Sequence, residues 1–156
     1  MKMSMYESMT AAAIASRLTT RWVGRQLEVY DEIDSTNTRA ATLAGSGAPA
    51  GTLVLAEQQT QGRGRLGRRW FAPPGSSLLM SLILRPALAV HQSPRATMLC
   101  SLAIVEAITQ VARLEARIKW PNDVTIRNKK VAGLLTEAGA HGQVLTFLIV
   151  GMGINV

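Results

Sequence analysis

Glu57–Gln58–Gln59–Thr60–Gln61–Gly62–Arg63–Gly64–Arg65–Leu66–Gly67–Arg68–Arg69–Trp70 breaks abruptly with the patterning around it. The run Thr52–Leu53–Val54–Leu55–Ala56 leads into it and reads as a buried strand. Three glycines then arrive within six residues, with four arginines among and just after them. Glycine lets backbone approach a ligand closely and adopt φ > 0. Arginine is a permanent cation suited to gripping carboxylate or phosphate with two hydrogen bonds. The stretch therefore reads as a loop, hung from a strand, that folds over an anionic ligand. The bland alternative is a solvated basic surface loop.

Gly62 to Gly67 also spells the dinucleotide fingerprint G-x-G-x-x-G. That reading fails on context. The fingerprint needs a helix opening at the glycines and an acid about twenty residues later. Here Pro73 and Pro74 follow, and no Asp or Glu occurs between Glu57 and Glu106. A kinase-type phosphate loop fails too, because the downstream catalytic and metal-binding motifs are missing.

Outward from the loop, the elements can be placed by period and punctuation. Met5 to Arg21 is rich in Ala, Leu and Ile and reads as a short helix. Leu27 to Ile33 alternates as a strand. Asp34–Ser35–Thr36–Asn37 is a cluster of N-cap residues, and Thr38 to Gly45 continues as helix. Such a helix start caps itself or donates to a bound anion or carbonyl. Ser77 to Leu84 is nearly all apolar and reads as a central strand. Ser93–Pro94 opens a helix running to about Leu114. Met98, Leu99, Leu102, Val105, Ile108, Val111 and Ala112 recur on it at helical spacing, which predicts a broad buried face. Strands follow at Ala116–Trp120, Val124–Ile126, Lys130–Glu137 and Val144–Val150, and Gly151 to Val156 closes the chain. Strands gathered late around one long helix predict an α+β domain with a mixed sheet and packing helices.

At 156 residues and 47% apolar content the chain suits one folded domain rather than disorder. The net charge of +7 favours anionic partners. Cys100 is the only cysteine, which excludes an intrachain disulfide and a cysteine-based zinc site and reads as a buried, inert thiol. His91 and His141 lack metal-ligand spacing. No apolar run is read as a membrane span, and the Met9–Ala15 stretch is too short for a secretory core. A soluble, cytoplasmic protein is expected.

Polar residues recur around Lys119–Trp120–Pro121–Asn122–Asp123. Asp123 there can position an amine, accept its proton, hold a metal ion, or simply satisfy a turn. Gly133 inside a strand, and Gly151 with Gly153 at a strand end, predict close approach by another group. No nucleophile-plus-histidine arrangement stands out. Several cations, one carboxylate and a glycine-lined slot suit a reaction between two anions, one of them phosphoryl.

Five motifs in order then carry a resemblance: Asp34–Ser35–Thr36–Asn37; Glu57–Gln58–Gln59 with Gly62 to Trp70; Lys119 to Asp123; Lys130–Val131–Ala132–Gly133; and Gly151–Met152–Gly153–Ile154–Asn155. From about Val29 to the last residue the chain resembles biotin protein ligase, also called biotin–[acetyl-CoA-carboxylase] ligase. The resemblance implies an α+β catalytic domain over residues 25–156, related to class II aminoacyl-tRNA synthetases, behind a helical extension over residues 1–24. It implies that biotin and ATP form biotinyl-5′-AMP, with Mg2+ accompanying the ATP phosphates and no metal held by the protein itself. A lysine of a biotin carboxyl carrier domain then takes the biotin.

By motif, the resemblance implies that Ser35, Thr36, Asn37 and Gln59 meet the biotin head group, while the backbone of Gly62, Gly133 and Gly153 lines the slot. Arg63, Arg65 and Lys130 would face the carboxylate and phosphate. Arg65, Arg68, Trp70, Asn122, Lys130 and Asn155 would surround the nucleotide. Asp123 would orient or deprotonate the acceptor lysine, making Arg65, Lys130 and Asp123 the catalytic set. The family's bifunctional repressors carry an N-terminal DNA-binding domain absent here, so a monofunctional enzyme without DNA binding is expected. The family's catalytic domain continues past the last motif, so the C-terminal side is read as incomplete, leaving an open edge strand that favours a homodimer. Other readings are a non-catalytic biotin-binding fragment, a lipoate–protein ligase, against which the Gly-Arg-Gly-Arg loop argues, and a basic nucleic-acid-binding module. The last lacks aromatics interleaved with its charge, since only Trp70 and Phe71 flank it.

Overall fold

The computed structural model describes residues 9–156. Its elements run α1 (Ala11–Arg17), β1 (Leu27–Ile33), α2 (Thr36–Gly45), β2 (Leu53–Gln59), β3 (Ser77–Leu84), α3 (Pro94–Ala112), β4 (Ala116–Lys119), β5 (Asp123–Ile126), β6 (Lys129–His141) and β7 (Val144–Asn155). Of the expected N-terminal helix, the described residues form Ala11–Arg17, which ends before Arg21; residues 5–8 lie outside the described residues. α2 starts two residues early because Ser35, in extended conformation, accepts a hydrogen bond from the Thr38 N–H and so acts as the cap.

All seven strands form one mixed sheet in the order β1-β2-β3-β7-β6-β5-β4. Only β1 and β2 run parallel. A parallel pair needs a crossover, which α2 supplies. Strand alternation sorts the apolar residues onto two faces. Val54, Ile83 and Ile149 pack with Ala40 and Ala44 of α2. Leu53, Leu55, Leu82, Leu148 and Val150 belong to the larger cluster on the other face, with Ala96 and Ile104 of α3.

Expectations about two elements need correction. Met98, Leu99, Leu102 and Val111 of α3 are exposed, not buried. The helix instead turns Ala96, Thr97, Ser101 and Ile104 inward, with Thr97 and Thr136 hydroxyls 2.6 Å apart. A helix apolar nearly all round cannot reveal its buried side by periodicity. The same composition makes Val90–Ala112 long and apolar enough to cross a membrane, contrary to the sequence reading. In the fold it lies along β4, β5 and β6. The second correction concerns the chain's last strand. β7 is bonded on both sides, to β3 and β6, so it is not an open edge; the edges are β1 and β4.

Candidate active site

The site is built on bare backbone. Across β3, β7 and β6, register places Leu79, Gly153 and Gly133 side by side, and next to them Ser81, Gly151 and Leu135. Each glycine is required by what lies over it. A Cβ on Gly151 would collide with the Asn37 amide. One on Gly153 would stand 2.5 Å from the Trp70 indole, and one on Gly133 2.9 Å from both that ring and Lys130 Nζ. The close approach expected at these glycines is thus made by Asn37, Trp70 and Lys130.

One wall is neutral and hydrogen-bonded. Ser35, Thr36 and Asn37 are buried at the start of α2. Gln59, at the end of β2, accepts from the Thr36 N–H (2.8 Å) and hydroxyl (3.1 Å). Ser81, fully buried on β3, donates to Asn37 Oδ1 at 2.6 Å and lies 2.8 Å from Thr36 Oγ1. The Asn37 amide donates to Glu137 Oε2 at 2.6 Å. Every side-chain dipole on this wall is therefore oriented before any ligand arrives.

The cations come from the Gly-Arg loop and from Lys130 of β6. That loop folds back on itself: Gly64 N–H donates to the Arg68 carbonyl (2.7 Å) and Trp70 N–H to the Gly62 carbonyl (2.9 Å). At its tip Leu66 takes φ +56°, an uncommon conformation for a bulky residue, with its side chain in solvent. Arg63 pairs with Glu137 at 2.9 Å. Arg65 donates to Asn122 Oδ1 at 2.8 Å. Lys130 pairs with Asp123 at 2.8 Å and lies 5.4 Å from the Trp70 ring centre. The Trp70 Nε1 donor is buried without a partner.

Ser35, Thr36, Asn37, Gln59, Arg63, Arg65, Trp70, Asn122, Lys130, Gly133 and Gly153 all line this one pocket. Four predicted residues do not. Gly62 supports the loop, because the Trp70 carbonyl occupies the place of its Cβ. The Arg68 side chain is exposed, and Asn155 accepts from Ser77 at 3.1 Å at an exposed strand end. Asp123 touches the pocket through Lys130. Sequence reasoning missed Ser81 and Glu137. A serine in the middle of an otherwise apolar run was the available signal for the first; nothing marked the second. Away from the site, Cys100 is half-buried rather than buried, and that burial pushes its thiol pKa up.

Comparison with known proteins places this geometry. The family model described as "Biotin/lipoate A/B protein ligase family" matches residues 29–155. The bifunctional ligase/repressor BirA of Bacillus subtilis is 43% identical over 139 residues, which are 89% of this chain and 43% of that protein. The biotin–[acetyl-CoA-carboxylase] ligase of Paracoccus denitrificans is 38% identical, over 79% of this chain and 51% of that one. The biotin protein ligase from Aquifex aeolicus, solved in complex with biotin and ATP, is similar with a TM-score of 0.69 at 37% identity, covering 85% of this chain and 53% of that chain. The chain spans about half the length of these relatives.

Proposed function

The chain belongs to the biotin/lipoate A/B protein ligase family, and we propose that it activates biotin with ATP and passes it to a lysine of a biotin carboxyl carrier domain. One observation carries this reading: a hydrogen-bonded set of neutral side chains and a cluster of cations line one pocket floored by bare glycine backbone. A neutral ureido ring needs small fixed donors and acceptors, which Ser35, Thr36, Asn37 and Gln59 supply. A carboxylate attacking a phosphate needs cations to offset repulsion and stabilise phosphoryl charge, which Arg63, Arg65 and Lys130 supply.

In the first step a biotin carboxylate oxygen bonds to the α-phosphorus, and pyrophosphate leaves with the electron pair of the broken P–O bond. In the second, the acceptor amine bonds to the acyl carbon, AMP leaves with the C–O pair, and Asp123 takes the amine's proton. Trp70 over Gly153 shields the mixed anhydride from water. Asn122 serves the nucleotide, and Arg68 and Asn155, outside the pocket lining, reach its phosphates and base from the rim. Mg2+ travels with the nucleotide phosphates; among the described residues no three His, Cys, Asp or Glu side chains gather to hold a metal. The reading includes a cytoplasmic location, where ATP is available as co-substrate.

The test is biotin-dependent exchange of labelled pyrophosphate into ATP, with thermal unfolding in biotin or lipoate alongside. Exchange with biotin, and a melting temperature raised by biotin but not lipoate, is the expected result. A folded chain that exchanges no pyrophosphate loses the ligase assignment, and preference for lipoate reassigns its substrate.

A further inference from the structure

The rows that floor the slot continue one step beyond it. After Ser81, Gly151 and Leu135, the sheet register brings Ile83, Ile149 and Glu137 side by side. Ile83 and Ile149 are completely buried and pack with Ala40 and Ala44 of α2. Alternation puts Glu137 on the same face of β6 as Gly133 and Leu135. An apolar side chain at this position would lengthen the packed row. A half-buried carboxylate in its place needs partners to offset the water it has lost. It has two, and both donate to the same oxygen. Asn37 Nδ2 lies 2.6 Å from Oε2, and a terminal nitrogen of Arg63 lies 2.9 Å from it.

Those two donors belong to different parts of the site. Asn37 stands in the first turn of α2 among the neutral side chains, and Arg63 stands in the Gly-Arg loop between Gly62 and Gly64. An ionised carboxylate only accepts, so the Asn37 amide must turn its NH2 group toward Glu137. Asn37 Oδ1 is thereby left over Gly151, where Ser81 donates to it. The Arg63 nitrogen that meets Glu137 also lies 3.4 Å from the Thr38 hydroxyl of α2. This arrangement leaves Nε and the other terminal nitrogen of Arg63 for a substrate anion. The loop's backbone bonds at Gly64 and Trp70 close on the loop itself, so the Arg63 side chain is what fastens it to α2 and β6. The Arg63 and Glu137 side chains are 46% and 35% exposed, and so wet an ion pair adds little to folding. Its consequence is one of position.

We infer that Glu137 is a positioning residue that latches the Gly-Arg loop to the head of α2 through one shared carboxylate oxygen. The inference rests on the ligase reading above for the identity of the ligand. Glu137 does not line the slot, so it acts through Asn37 and Arg63, which do. With the latch made, the neutral side chains and the loop hold one fixed relation before biotin arrives. Biotin is then spared the entropy of ordering the loop, and that saving appears as affinity. With the latch broken, Asn37 loses the acceptor that sets its amide, and the loop swings on its own backbone bonds.

The test pairs biotin titration calorimetry with limited trypsin digestion of the full chain, fragments being assigned by mass. Glu137→Ala is expected to weaken biotin binding by about 10-fold, the loss of a hydrogen-bonded charge. Cleavage after Arg65, Arg68 and Arg69 in the loop is expected to quicken by about 10-fold, while cleavage after Arg113 and Arg127, far from the latch, keeps the parent's rate. Glu137→Gln keeps an acceptor for Asn37 but loses the charge that holds Arg63, so both of its effects should fall between those of the parent and alanine. If alanine fails to fold, the glutamine variant decides. In an Arg63→Ala background, Glu137→Ala should cost less affinity than it does alone, because part of its action runs through Arg63. Unchanged biotin affinity in the folded variants overturns the latch, as does full additivity with Arg63→Ala or an equal rise in cleavage at every site. A parent chain that binds no biotin overturns the ligase reading instead, and the digestion pattern then still decides whether Glu137 holds the loop.

Discussion

Lys130 reaches forward along its own strand to bond Asp123, with Nζ and Oδ1 2.8 Å apart. The β5–β6 register slips between Val124 and Thr125, so Asp123 pairs with Gly133 while Thr125 pairs with Lys130. The lysine stem therefore crosses the Gly133 backbone, where only glycine leaves it room. A bulge in the ladder has converted a strand lysine into a pocket cation.

The ion pair itself holds little of the fold. Its side chains are 46% and 26% exposed, and such pairs contribute at most about 1 kcal/mol. Lys130→Ala is expected to lower the melting temperature by about 2–4 °C while cutting pyrophosphate exchange by about 100-fold. Calorimetry and the exchange assay on one sample check both, and a matching collapse of stability would move Lys130 from the chemistry to the scaffold.

Gly151 and Gly153 should respond differently to one added methyl. At Gly151 the obstacle is Asn37, locked by Ser81 and Glu137. Gly151→Ala is expected to cost about 1–3 kcal/mol in urea unfolding. At Gly153 the obstacle is the Trp70 ring on an irregular segment, which can shift. Gly153→Ala should unfold close to the parent and bind biotin more weakly by calorimetric titration. The reverse ranking would mean the ring, not the amide, is the rigid partner.

Ser81→Ala removes the hydroxyl that joins Thr36 to Asn37 inside a closed core. An acceptor left unpaired there costs about 1–3 kcal/mol. Biotin affinity is expected to fall as well, because Thr36 and Asn37 lose the partner that orients them. Unchanged affinity alongside lost stability would limit Ser81 to a structural role.

Arg39 grips Glu28 through two hydrogen bonds, of 2.7 and 2.8 Å, and holds its carboxyl below the usual glutamate range. The unfolded chain binds this proton more readily. The contribution is thus complete above the ordinary value of about 4.3, and is lost as pH falls through the depressed folded one. The pair is partly exposed, so Glu28→Gln should cost only about 0.2–1 kcal/mol at pH 7. The difference from the parent should vanish in strong acid. Urea unfolding across the acid range checks the sign, and a gap that widens toward low pH would contradict it.

Much of this molecule is legible in one dimension. β1 falls at the residues where alternation put it, and α3 begins at Ser93–Pro94 as its proline required. The glycines announced close approach because removing a side chain has few other uses inside a strand. The α3 face was not legible. Its apolar residues surround the helix, and the sheet accepted the small Ala96, Thr97 and Ser101 because its own leucines and valines already filled the interface.

By itself, then, the sequence determined the element order, the Gly-Arg loop after β2 and the residue types of the site, since these follow from backbone propensity, period and local chemistry. Only the tertiary structure decided which groups meet. Asn37 and Glu137 are 100 residues apart in the chain, and Arg65 and Asn122 are 57 apart. Their contacts depend on β7 lying between β3 and β6, on one bulge in β5–β6 and on the fold-back of one loop. Such pairings are set by the three-dimensional sum of packing and hydrogen bonding, and no local pattern in the chain encodes them.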